Sequence, residues 1–208
     1  VCTSCKKTRS FQHESVQVIL PLPRGKIQSS TDHISKALST SALKEYHDML
    51  KKKESDPYYS IRVPGASTIL INSIRQLKYD MSLSTLNNDW RVILIFEAEK
   101  LCIPSAEAAH ALLKILEEPP ENTTLILVTD SKNALLPTVI SRCQNIHFPN
   151  LRKDCVKSIL VEKGFNDQQA TEITFIARGD VHLAIDLANK NDKDVFDDLR
   201  SLSKQLVT

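Results

Sequence analysis

A parallel α/β domain followed by a small all-helical domain is the fold class predicted by this sequence of 208 residues. Three observations carry the prediction. Val92-Ile93-Leu94-Ile95-Phe96 and Leu125-Ile126-Leu127-Val128 are short apolar runs without polar alternation, as in strands covered on both faces by helices. A delimited helical segment lies between them, so strand and helix alternate in the order a parallel sheet requires. Beyond Pro149, four helical segments follow one another with no strand between them.

The elements can be justified in chain order. Val16 to Leu22 is an apolar run closed by Pro-Leu-Pro and predicts a strand. Ile34 to Lys53 has helical spacing through Ile34, Leu38, Leu43, Tyr46 and Leu50, and Lys51-Lys52-Lys53 suits the negative end of its dipole. That lysine triple reads as a solvated helix end rather than a DNA patch. Pro57, Pro64 and Gly65 mark a connection, and Ile69 to Leu83 returns to helical spacing with Ile71, Ile74, Leu77 and Met81 on one face. The next helix has Pro104 at its first position, a buried stripe of Ala109, Leu112, Leu113 and Leu116, and Pro119-Pro120 as its stop. Pro137 to Arg142 predicts a short helical turn and Ile146-His147-Phe148 a further strand. Asp154 to Lys163, Gln168 to Ala177, Val181 to Ala188 and Val195 to Val207 are the four closing helices, with Gly164 and Gly179 among the breaks. A domain boundary near Asn150 separates residues 1–149 from residues 150–208.

Composition excludes several classes. An apolar content of 41% supports a packed core, and a net charge of +2 gives no bulk signature of nucleic-acid binding. No run of about 18 apolar residues predicts a membrane span, and Lys6, Lys7 and Arg9 lead into no signal-peptide core. Five scattered cysteines fit a reducing, cytosolic setting. Cys2 and Cys5 form a C-x-x-C pair. Since structural zinc needs four ligands, this is either half of a zinc knuckle or two free thiols, and His13 is a weaker third candidate.

Ligands in parallel α/β sheets bind beyond the carboxyl ends of the strands. Glu97, Glu99, Thr129, Asp130 and Arg142 all fall at or after such ends. A phosphoryl-transfer centre needs an Asp to organise magnesium and a neighbouring group to position water. Phe96-Glu97-Ala98-Glu99 breaks that acidic pair in either register, because Phe96 offers no metal ligand and Ala98 no base. Arg142, between Ser141 and Cys143, has the permanent charge and fork geometry that grip phosphate.

Ala108 to Pro120, ending Leu-Glu-Glu-Pro-Pro, together with Ile140-Ser141-Arg142-Cys143, resembles the AAA+ subunits of bacterial clamp loaders, and the likeness extends over nearly the whole chain. It implies an AAA+ type parallel sheet with a helical lid domain. Motor subunits of that family end the central strand in Asp-Glu and carry a lid arginine in a Gly-Ser-x-Arg motif. This chain has Phe96-Glu97, and Gly179-Asp180-Val181-His182 puts His182 in the arginine's place. Thr129 matches the residue that senses the terminal phosphate, and Ser141-Arg142-Cys143 matches the arginine finger that acts in trans. The combination resembles the family's non-hydrolysing stator rather than its motor, with ATP bound by neighbouring subunits.

The likeness also implies that Cys2 and Cys5 are the second pair of a four-cysteine zinc module, with the phosphate loop G-x-x-x-x-G-K-[ST] upstream and a collar domain beyond Thr208. Arg75 and Lys114 match positions that contact primed DNA, although each reads equally as a surface charge. The implied partners are other clamp-loader subunits, the sliding clamp indirectly, and primed DNA in the bacterial cytoplasm. Two alternatives stand beside this reading: an active AAA+ ATPase of motor or helicase type, and a DNA-binding module with no ring partner.

Overall fold

The computed structural model describes residues 2–29, 32–82 and 90–189. The chain divides into two units, Val1–Ile146 and His147–Thr208, each with its own contacts.

In the first unit, β1 (Val16–Ile19), β2 (Arg91–Ile95) and β3 (Thr123–Leu127) form a parallel sheet in that order, with β2 central. The register pairs Ile19 with Ile95 and Ile95 with Leu127, so the carboxyl ends of all three strands are level. Side chains alternate along a strand. Ile93 and Ile95 therefore share one face, and both are buried there. Helices α3 (Ile71–Ser82) and α4 (Glu107–Glu117) cover that face and pack on each other. Ile74 and Leu77 from α3, Ala109 and Leu112 from α4, Leu101 and Val139 complete the core with no exposed surface. The opposite face is less covered among the described residues. Val92 and Leu94 are half-buried and Ile126 is exposed, so the two-sided covering expected from unbroken apolar runs holds for one side only.

Several elements differ from the sequence expectation for local reasons. Ile34 to Lys53 is not one helix. A single 3-10 turn, Ile34–Ala37, precedes α2 (Thr40–Ser55), and Leu38 between them is extended. Ser39 caps α2 by accepting from the Ala42 N–H at 3.3 Å. Ala37 is held elsewhere, because Lys26 N–H donates to the Lys36 carbonyl at 3.0 Å and a Cβ on Gly25 would lie 2.2 Å from the Ala37 oxygen. Helix α4 starts at Glu107 rather than Pro104. The preceding segment is tied sideways instead: the Thr68 hydroxyl donates to the Ile103 carbonyl, and Ile69 N–H donates to Lys100 at 3.1 Å. A short helix α1 (Thr3–Arg9) begins at the cysteine pair, and α5 (Pro137–Ile140) is the expected turn. Ile146-His147-Phe148 is not a strand. Ile146 is 72% and Phe148 84% exposed, and no sheet edge among the described residues receives them. Three residues without a ladder partner cannot satisfy their backbone as a strand.

The second unit is helical: α6 (Lys153–Glu162), α7 (Asp167–Ala177) and α8 (Val181–Asn189) pack around Val156, Leu160, Ile173, Ala177 and Ala184. Asn166 caps α7 by accepting from the Gln169 N–H at 2.7 Å. Gly179, at φ +92°, brings its carbonyl to the Leu151 N–H at 3.1 Å, and a Cβ there would lie 2.3 Å from the Leu151 oxygen. The expected helix Val195 to Val207 and the end of the Ile69-to-Leu83 helix at Leu83 lie outside the described residues. No helix among the described residues is long and apolar enough to cross a membrane.

Candidate functional site

The sheet places Phe96, Glu97, Glu99 and Thr129 together at the carboxyl ends of β2 and β3. Hydrogen bonds lock the three strand ends: Phe96 N–H donates to Ile19 at 2.9 Å, Val128 N–H to Ile95 at 2.8 Å, and Ala98 N–H to Val128 at 2.9 Å. This clasp buries Ala98 completely and turns the chain at Glu97 through a left-handed conformation, φ 49° and ψ 50°. For a residue with a Cβ that conformation costs roughly 1–2 kcal/mol. Glu97 then joins Pro21, Ile61, Arg62, Val63 and Ala66 around a small hollow.

The Thr129 hydroxyl is already committed. It donates to Glu99 Oε2 at 2.6 Å and accepts from the Ser131 N–H at 3.1 Å. A threonine that senses a phosphate must point its proton at an anion, and here that anion is a carboxylate of the same chain. A phosphate arriving at this hydroxyl would also meet the negative charge of Glu99. Phe96, which follows β2, offers no metal-binding oxygen, and the Thr129 hydroxyl already has an acceptor in Glu99.

Arg142 belongs to a different local structure. Pro137 starts α5 with its φ already helical, and Arg142 follows its end. One terminal nitrogen, Nη1, donates to the Thr138 carbonyl at 2.9 Å. The other, Nη2, donates to Glu117 Oε1 at 2.6 Å. About a third of the arginine side chain stays exposed. Cys143 next to it points the other way, half-buried against the core, and burial pushes its thiol above the ordinary value. In Ser-Arg-Cys, then, the cysteine anchors while the arginine faces water. Glu117 was visible in the sequence only as part of Glu-Glu-Pro-Pro. Its pairing 25 residues away depends on how α4 and α5 pack.

The remaining candidates are dispersed. Arg75 on α3 and Lys114 on α4 are exposed. His182 is exposed on α8 of the second unit. Cys2 and Cys5 are exposed with their sulfurs 3.1 Å apart, and Cys2 caps α1 by accepting from the Cys5 N–H at 3.3 Å. That N–H holds the Cys2 thiol below its ordinary value, whereas the hydrogen bond with Cys2 raises Cys5. Two thiols on a helix start suit half of a tetrahedral zinc site. His13 does not join them, since its Nδ1 accepts from the Ser15 N–H at 3.1 Å and its Nε2 lies 2.7 Å from the Ser4 hydroxyl. Among the described residues no cluster of three or more metal-ligating side chains occurs.

Comparison with known proteins converges on one family. A family model described as DNA polymerase III, delta subunit, matches residues 1–152. The DNA polymerase III subunit delta' of Bacillus subtilis (strain 168) is 32% identical over 107 residues, covering 51% of this chain and 32% of that protein. The subunit delta' of Haemophilus influenzae is 35% identical over 104 residues, covering 49% and 31%. The DNA polymerase III subunit gamma of Buchnera aphidicola from Acyrthosiphon pisum is 28% identical over 133 residues, covering 61% and 36%. The chain thus spans about a third of the length of these relatives. Its parallel α/β unit, with the Glu-Glu-Pro-Pro helix and the Ser-Arg-Cys turn packed side by side, lies within the matched residues, and the chain belongs to the DNA polymerase III delta subunit family.

Proposed function

We propose that this chain is the α/β and lid portion of a non-hydrolysing clamp-loader subunit of the delta-prime kind, working in DNA replication within the DNA polymerase III holoenzyme. In this reading it assembles with gamma/tau motor subunits and with delta. It presents Arg142 to ATP held by a neighbouring motor, which drives loading of the sliding clamp onto primed DNA in the bacterial cytoplasm. Arg75 and Lys114 are the proposed phosphate contacts to that DNA, and Cys2 and Cys5 the proposed half of a zinc module in the full-length protein.

The observation that carries the reading is a contrast within one domain. The home cleft has Phe96 where a metal ligand would be needed, and its Thr129 hydroxyl is bonded to Glu99. Arg142, by comparison, is a partly exposed guanidinium held at two points. A finger of this kind stabilises charge on phosphate bound elsewhere and needs no nucleotide at home. The likeness to a gamma subunit favours a second reading, an active motor, and Phe96 weighs against it.

The two readings separate on one measurement. The full-length protein alone is expected to show no magnesium-dependent ATP cleavage, yet to raise turnover when mixed with motor subunits. Turnover by the protein alone, abolished by disturbing its own phosphate loop, would establish the motor reading.

A further inference from the structure

Arg142 is not held by the turn that carries it alone. Its Nη1 donates to the Thr138 carbonyl at 2.9 Å within the α5 turn, and its Nη2 donates to Glu117 Oε1 at 2.6 Å on the last residue of α4. The two helices pack together, with Ile115 and Val139 both in the common core. Pro119-Pro120 end α4 just beyond Glu117, which fixes where that carboxylate stands. An arginine has five N–H donors in a rigid plane. Two anchors on rigid elements set that plane's orientation, and the remaining donors stay available to an anion. Side-chain exposure of 33% for Arg142 and 48% for Glu117 makes the pair a poor source of stability. It does have the geometry of an aiming device.

We infer that Glu117 is a positioning residue for Arg142, orienting the guanidinium toward phosphate on an adjacent subunit rather than sequestering it. The inference rests on the reading of Arg142 as a trans-acting finger. Its chemistry requires an acceptor at position 117 more than a charge, because the hold is a single directed hydrogen bond.

The test compares Glu117→Ala, Glu117→Gln and Arg142→Ala in the full-length protein, each assembled into the reconstituted loader with magnesium ATP and primed DNA. Glu117→Ala is expected to lower kcat about ten- to a hundredfold, the usual consequence of a misplaced catalytic group, with KM for ATP little changed. Glu117→Gln keeps an oxygen acceptor and should retain turnover within about threefold of the parent. In an Arg142→Ala background, Glu117→Ala should have no further effect. In the free protein, the Arg142 side-chain N–H signals should show restricted rotation that Glu117→Ala abolishes and Glu117→Gln preserves. That readout holds even if a variant assembles poorly. A rate increase on Glu117→Ala would make the glutamate a latch and overturn the inference. So would equal losses in the Ala and Gln variants, or a guanidinium as mobile in the parent as in Glu117→Ala. If Arg142→Ala lowers turnover and Glu117→Ala does not, this inference alone fails. If Arg142→Ala changes nothing, the finger reading itself has failed.

Discussion

Replacing Arg142 by alanine separates stability from catalysis, because the structure sets very different magnitudes for each. Truncation removes one partly exposed ion pair with Glu117 and one hydrogen bond to the Thr138 carbonyl. The first is worth about 0–1 kcal/mol and the second about 1 kcal/mol. The Thr138 carbonyl keeps the Ser141 hydroxyl as a donor at 3.2 Å and belongs to an exposed residue, so water can replace the guanidinium. A total of roughly 1–2 kcal/mol corresponds to a fall in Tm of roughly 2–8 °C for a protein of this size or larger. An arginine finger, by contrast, contributes about 10³–10⁵ in turnover. At about 1.4 kcal/mol per tenfold this is about 4–7 kcal/mol, several times the structural cost. ATP turnover should therefore collapse in the reconstituted loader while gel filtration shows the assembly intact. Arg142→Lys keeps the charge but loses the planar fork, and should recover only a small part of the rate. Turnover within about threefold of the parent, in a correctly assembled loader, would refute the reasoning. A loss that simply follows the fraction assembled would refute it too.

Three further outcomes follow from other parts of the molecule. If Arg75 and Lys114 touch phosphate, replacing either by alanine should weaken binding to primed DNA of any sequence and reduce the slope of log K against log salt by about 1, measured by fluorescence anisotropy. The buried Asn72 amide donates to the Ser29 carbonyl at 3.0 Å and the Asp32 carbonyl at 2.7 Å, tying the loop before the Ile34–Ala37 turn to α3. Asn72→Ala should cost about 1–3 kcal/mol in urea unfolding, with amide exchange in residues 28, 29 and 32–36 accelerated first. Asp32 accepts from the Gln28 and Ser29 N–H groups and from Lys36, and the lysine bond foremost holds its carboxyl well below the usual range. A depressed folded value means that its contribution is present above the unfolded value of about 3.9 and is lost as pH falls below it. An NMR titration of the Asp32 carboxyl with an ordinary midpoint would contradict this.

The parts of the fold that could be read from the sequence are those where local signals are self-sufficient. The apolar runs at Val92 and Leu125 became β2 and β3, and Pro119-Pro120 stopped α4 where a proline pair must. The failures share one cause, which is a partner that no local pattern announces. Ile34 to Lys53 has helical spacing throughout, but Ala37 is pinned to the Gly25 loop and Ser39 starts the helix afresh. Ile146-His147-Phe148 has strand-like residues and no neighbouring strand among those described.

The same distinction governs the site. Phe96 shows its chemistry in sequence, because a phenyl ring offers no metal-binding oxygen in any register. Thr129 does not, since nothing in its identity tells that its hydroxyl donates to Glu99. Thr129 and Glu99 stand 30 residues apart and meet only because β2 and β3 end level in a parallel register. Arg142 and Glu117 meet because two proline-defined helices, one ending and one beginning, converge on a shared core. In both cases a carboxylate accepts from a group that could donate to phosphate, yet the consequences differ in kind. A hydroxyl has one proton, and giving it to Glu99 leaves nothing for a ligand. A guanidinium has five, and giving one to Thr138 and one to Glu117 fixes the direction of the others. The same kind of contact thus spends the single proton of Thr129 and aims the remaining donors of Arg142, because the two groups differ in how many donors they carry.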